Sequence, residues 1–97
     1  MDARFELNSV VFVWDEAKAR GNARRHGIRF EQAAEAFFDP FLRVVDAERN
    51  DEARDAVIGC DLHGRLLFVV HLVFDGDSIR IVSARKATRN EVDTYDS

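Results

Sequence analysis

The sequence has little of what staples or interrupts a fold. Of its 97 residues, one is cysteine, one is proline and five are glycine. The lone Cys60 excludes an intrachain disulfide and a cysteine-based zinc site, and it fits a reducing compartment. Lysine is scarce as well: Lys18 and Lys86 are the only two among 14 basic residues, and the rest are arginine. Long hydrophobic runs are missing. The longest strongly apolar stretch, Leu66 to Val70 resuming at Leu72 to Phe74, is interrupted by His71 and is far too short to span a bilayer. The opening MDARFELNSV has no apolar signal core. A cytosolic (cytoplasmic), soluble chain without membrane contact is expected. The acids and histidines show no metal-ligand spacing, and there is no phosphate-cradling glycine loop or nucleophile elbow. No metal and no cofactor are therefore expected.

What is present is the composition of one small folded domain, 46% apolar and 33% charged. Eight phenylalanines against one tyrosine and one tryptophan suggest a core of large rings. The net charge of −4 argues against a wholly basic nucleic-acid coat. Charge is segregated, however. Residues 17–30 carry Lys18, Arg20, Arg24, Arg25, Arg29 and His26 with no acid, and residues 78–90 carry Arg80, Arg85, Lys86 and Arg89 with no acid. Between them, residues 46–61 hold six acids and two arginines. An acidic chain can thus carry a basic site; the plainer alternative is arginine solvating exposed faces. Arginine suits bidentate contact to carboxylate or phosphate.

Residues 1–10 read as a lead-in and 11–97 as the domain. VFVW (11–14) is a short strand. Asp15 can cap a helix over 16–26, with Arg24, Arg25 and His26 at its C-terminal end and Gly27 in the left-handed terminating conformation. Ala17 and Gly21 on one side would let it lie close to a sheet. Phe30, Ala33, Ala34, Phe37 and Phe38 mark a second helix, ended by Asp39-Pro40. Strands follow over 41–46, 55–62, 65–74 and 78–85, with turns at His63-Gly64 and Asp75-Gly76-Asp77. LLFVVHLVF, apolar on both faces, is a central strand. Thr88 and Glu91 have capping-box spacing for a final helix over 89–95. The fold class is α+β: a mostly antiparallel twisted sheet with two N-terminal helices and a short C-terminal one.

The segment VFVWDEAKARGNARRHGIRFEQAAEAFFDP resembles the opening of BrnT-type toxins of bacterial type II toxin–antitoxin systems, and HGRLLFVVHLVFDGDSIRIVSARKATRNEVDTY resembles their closing half. The anchors are WDEAK…N…RRHGIRFEQA and IRIVSARKATRNE, in that order. The chain departs from the family pattern at Arg29, where a small capping residue is usual, and in a less basic final helix. Residues 1–9 have no clear counterpart. The resemblance implies a RelE-like fold and RNA cleavage. It also implies pairing with a BrnA-type ribbon-helix-helix antitoxin, through which alone the operator DNA would be met.

Metal-free RNA cleavage needs a base for the 2′-hydroxyl, a stabiliser of phosphorane charge and a proton for the leaving oxygen. Arg85, where the last strand runs into the final helix, is the expected phosphate clamp; a structural salt bridge is the alternative. Arg65 and Arg80 rank second. Arg80 and Arg85 differ by an odd number of positions, so they share a face only if the strand bulges near Ser83. His71 and His26 are the candidates for proton transfer; the alternative for His71 is a buried core histidine and for His26 a helix-end contact. Lys86, Arg89, Lys18, Arg24 and Arg25 are expected to hold RNA. Tyr95 could stack on a base or pack the last helix. Two rivals stay open: a non-catalytic nucleic-acid-binding module, and a degenerate toxin serving only as co-repressor.

Overall fold

In the opening segment Ala3, Phe5 and Leu7 alternate with Arg4 and Glu6, the period of a strand with one covered face. The computed structural model, which describes residues 1–48, 50, 53–74 and 76–97, forms strand β1 there (Asp2–Leu7). It pairs antiparallel with β2 (Val10–Asp15). Asn8 and Ser9 make the two-residue turn, both at positive φ (51° and 66°), as a tight hairpin requires. The residues read as a lead-in are thus an edge strand.

Asp15 then caps α1 (Glu16–His26), its side chain accepting the Ala17 N–H, and Gly27 ends it at φ 70°. The second helical segment divides into α2 (Phe30–Glu35) and one 3₁₀ turn (Ala36–Phe38). Arg29 precedes α2 without a side-chain cap. The remaining strands are β3 (Arg43–Asp46), β4 (Asp55–Cys60), β5 (Leu66–Phe74) and β6 (Ser78–Lys86). Helix α3 (Arg89–Asp96) follows, with the Thr88–Glu91 capping box in place. The β4–β5 turn is longer than His63-Gly64 alone: it closes from Asp61 to Arg65, whose C=O accepts the Asp61 N–H at 2.9 Å. Asp75 of the expected β5–β6 turn lies outside the described residues.

The sheet order is β1-β2-β6-β5-β4-β3. It is a mixed sheet, because β2 and β6 run parallel while the other pairings are antiparallel. A hairpin therefore precedes the helices, and the chain runs through them and three further strands before β6 returns parallel to β2. One face lies under α2 and the 3₁₀ turn. There Phe12, Trp14, Phe30, Leu67, Val69, Ile81 and Ala84 are buried. Aromatic rings interlock: Trp14 meets Phe30 edge-on with centroids 5.7 Å apart, and Phe12 meets Phe37 at 5.2 Å. The backbones approach closely at Gly59, where a Cβ would lie 2.5 Å from the Ala36 C=O oxygen. Gly21, expected to serve that purpose, has open space where a Cβ would stand.

Candidate nucleic-acid interface

Strand β6 carries the arginines, and its register decides which face they serve. Val70 opposes Ser83 but His71 opposes Ile81, so Val82 is an extra, bulged residue. Directly opposed residues share a face. Arg80, Ser83 and Arg85, opposite Leu72, Val70 and Phe68, therefore all point away from the helix-covered core. The bulge supplies the condition under which Arg80 and Arg85 share a face. They stand four β5 residues apart, roughly 13 Å of strand.

Helix α1 reaches this face because β2 stops short. The β2–β6 pairing ends at Val13 opposite Arg80, leaving the edge of β6 open beyond it. Asn22 closes that edge with its side-chain amide: Oδ1 accepts the Ala84 N–H at 3.0 Å, and Nδ2 donates to the Ala84 C=O at 2.8 Å. Nδ2 also donates to the Ile28 C=O at 2.9 Å. The amide thus does the work of a peptide in a neighbouring strand. Lys18 and Arg25 stand on the α1 surface beside it.

Two adjoining hollows result. One, ≈ 420 Å³, lies between Lys18 and Arg25 of α1, Val82 and Ser83 of β6, and Arg54. The other, ≈ 280 Å³, is lined by Glu48, Arg54, Phe68, Val70, Ser83 and Arg85. Arg54 and Ser83 belong to both, so the two form one trough with four cations along it. From the acid-rich segment 46–61, Glu48 and Arg54 line the trough. Pairing of β4 with β5 and of β5 with β6 carries the stretch beside β4 over Val70 and Ser83.

Arg85 is held in place by two partners. Its guanidinium makes a bidentate pair with Glu91, 2.8 Å to each carboxylate oxygen, and lies 4.4 Å from the Phe68 ring centroid. The Glu91 hydrogen bonds raise the pKa of Arg85 against the opposing effect of burial. Burial would lift Glu91, but its bonds to Arg85 and Thr88 outweigh this and hold it below the usual carboxylate range.

The other expected site residues are spread over the molecule. Arg80 pairs with Asp2 at 2.7 Å. Arg65, beside the core face, bonds Asp61 at 3.1 Å. His71 is buried on the core face, opposite Ile81, with Nδ1 3.3 Å from the Val69 C=O oxygen and Phe37 edge-on at 4.8 Å. Burial lowers its pKa despite that contact and the charge of Asp55. Neither Arg65 nor His71 shares the face of Arg85. His26 ends α1, and Arg24 is exposed two residues earlier, outside the trough lining. Lys86, opposite Leu67, falls on the core-face side of β6. Arg89 lies on exposed α3, 3.8 Å from Asp93. Tyr95 packs the last helix: its hydroxyl donates to Asp39 Oδ2 at 2.7 Å. That bond, with burial, raises the phenol pKa.

Residues 14–91 match the family model described as ribonuclease toxin, BrnT, of type II toxin–antitoxin system. The chain belongs to the BrnT family. The 1.1 Å crystal structure of the Brucella abortus ribonuclease toxin, BrnT, is similar in fold, with a TM-score of 0.61 at 22% identity over 78% of this chain and 94% of that one. No curated protein matches the chain. Membership in this BrnT family implies an antitoxin partner.

The BrnT anchors now have physical roles. Trp14 is core, Asp15 and Gly27 bound α1, Asn22 closes the β6 edge, and Thr88 and Glu91 start α3. Arg54 and Glu48 were missed in the sequence because they sit in a stretch read only for its acidity. Their signal is the hairpin β3–β4, which must return over β5. Among the described residues, Glu35, Asp61 and His63 bring one ligand atom each within 4.8 Å of one another. Asp61 is already engaged by four donors: the N–H groups of His63 and Arg65 and the side chains of Gln32 and Arg65. Those bonds outweigh burial and lower its pKa. The group stands at the opposite end of β4 from Arg54. No helix among the described residues is long and apolar enough to cross a membrane.

Proposed function

We propose that this BrnT chain is a cytoplasmic endoribonuclease of RelE-like fold. It cuts RNA through attack by the RNA's own 2′-hydroxyl, without a metal, and a BrnA-type ribbon-helix-helix antitoxin silences it by covering the trough. The observation that carries the reading is the alignment of Lys18, Arg25, Arg54 and Arg85 along one trough floored by Ser83. Spaced cations match a phosphate backbone, and arginine can stabilise phosphorane charge at any working pH. A cluster of positive charge disfavours divalent ions at the same place, whereas 2′-hydroxyl attack needs only oriented cations and a proton acceptor.

The test is cleavage of end-labelled RNA by the purified chain in EDTA. The expected products carry a 2′,3′-cyclic phosphate or 3′-phosphate and a free 5′-hydroxyl, and DNA is spared. A 5′-phosphate, or activity restored only by Mg²⁺ or Mn²⁺, overturns the mechanism. RNA that is bound but uncut favours the non-catalytic module. Co-purification with the antitoxin should give an inactive complex; a chain that emerges alone and active counts against the partner.

A further inference from the structure

The trough contains a carboxylate with no part in the cationic clamp. Glu48 lines the smaller hollow together with Arg54, Arg85 and Ser83. Its backbone is fixed by a local turn in which its N–H donates to Asp46 Oδ1 at 2.9 Å, and its side chain is open to solvent. The proton acceptors expected from the sequence are elsewhere: His71 is buried under the opposite face, and His26 is not part of the hollow's lining. Glu91 is close to Arg85, but its Oε1 already accepts from Arg85 and the Thr88 N–H, and its Oε2 accepts from Arg85. Those bonds also make it a weaker base. Among the described residues, this leaves Glu48 as the carboxylate that lines the hollow together with Arg54 and Arg85 and serves no helix cap or salt bridge.

We propose that Glu48 is the general base of the cleavage reaction, with the scissile phosphate seated between Arg54 and Arg85. This rests on the ribonuclease reading above. The 2′-hydroxyl proton passes to the Glu48 carboxylate as the 2′-oxygen forms its bond to phosphorus. The bond from phosphorus to the 5′-oxygen breaks, and that oxygen takes a proton from water. Glu48 then returns its proton to solvent. No oxidant, metal or co-reactant is consumed. A carboxylate flanked by arginines is suited to this step, because the cations hold the phosphate while the anion remains free to accept the proton.

The test is steady-state cleavage of RNA by the wild-type chain and by Glu48→Gln across a pH series, with the unfolding midpoint of each measured in urea. Glu48 is exposed, so the variant is expected to unfold at the wild-type midpoint. Its kcat should fall by about a hundredfold or more, with KM within about threefold, and the acid limb of the wild-type pH profile should vanish. Glu48→Asp, which keeps the base, should retain that limb. Cleavage by Glu48→Gln within about threefold of wild type, with the same pH profile, overturns Glu48 and leaves the ribonuclease reading standing. A wild-type profile with no acid limb overturns it as well. No cleavage by the wild-type chain overturns both readings together.

Discussion

Ala84 and Arg85 are neighbours on one strand and serve opposite faces. Ala84 lies on the core face, where polar groups are matched inside the protein: Asn22 to the β6 edge, Gln32 to Asp61, His71 to the Val69 C=O. Arg85 lies on the open face, where guanidinium groups meet carboxylates, Arg80 with Asp2 and Arg85 with Glu91, beside the trough. The difference teaches how one sheet divides its labour. Polar groups of the core face are enclosed within the fold, and those of the open face pair with carboxylates at the surface.

The sharpest way to break this division is at Asn22. Asn22→Leu leaves the Ala84 N–H and C=O and the Ile28 C=O without their partner, and should cost about 3–5 kcal/mol in urea unfolding. A loss below about 1 kcal/mol would mean that the edge of β6 does not depend on this amide. Next comes a contrast between two arginines. Arg85→Ala should reduce RNA cleavage by roughly a hundredfold or more while unfolding stability changes by only about 1 kcal/mol. Arg65→Ala should likewise cost about 1 kcal/mol of stability, through Asp61, but leave the cleavage rate within a few-fold. If the two exchange behaviours, the faces have been assigned the wrong way round.

A gentler effect is expected from pH. The folded pKa of His71 lies below its ordinary value of 6.5 because of burial, so the unfolded chain takes up the proton first. The contribution of the neutral ring is fully present above about pH 6.5 and declines as pH falls through the folded value. Chemical unfolding at pH 7.5 and pH 5 should show this slope, and His71→Leu should flatten it. Smallest of all is Arg80→Ala. Its partner Asp2 is 56% exposed, so the change in stability should be within about 1 kcal/mol. A larger loss would place Arg80 among the groups that hold the fold.

Legibility in the sequence followed locality. Asp15, Gly27 and the Thr88–Glu91 box act through bonds spanning a few residues, and they define the helices where the sequence places them. Phe30 to Phe38 carried the right period, but its last turn tightens to 3₁₀ before Pro40. The period-2 pattern of Ala3, Phe5 and Leu7 was readable too, yet its turn at Asn8-Ser9 has no glycine to mark it. The bulge at Val82 has no local signature, since it exists only against β5. The same holds for the pairing of Arg85 with Glu91: the glutamate advertises a helix cap, and its second task appears only once β6 and α3 are neighbours. Arg54 is the extreme case. Its neighbours in sequence are acidic, and only the fold brings it into hollows that also take in Arg85, Lys18 and Arg25.

The parallel pairing of β2 with β6 has a consequence for the moment of synthesis. Val11 waits for Ser78, and Asn22 waits for Ala84, 62 residues further on. Contacts of such separation form late. On the ribosome, the hairpin and α1 emerge first but have no edge to dock against until the last strand is made. The wall bearing Lys18 and Arg25 therefore meets the wall bearing Arg85 only after β6 has been made. A chain released before β6 lacks the strand that carries Arg85 and the edge that Asn22 closes, and it should be readily digested by protease.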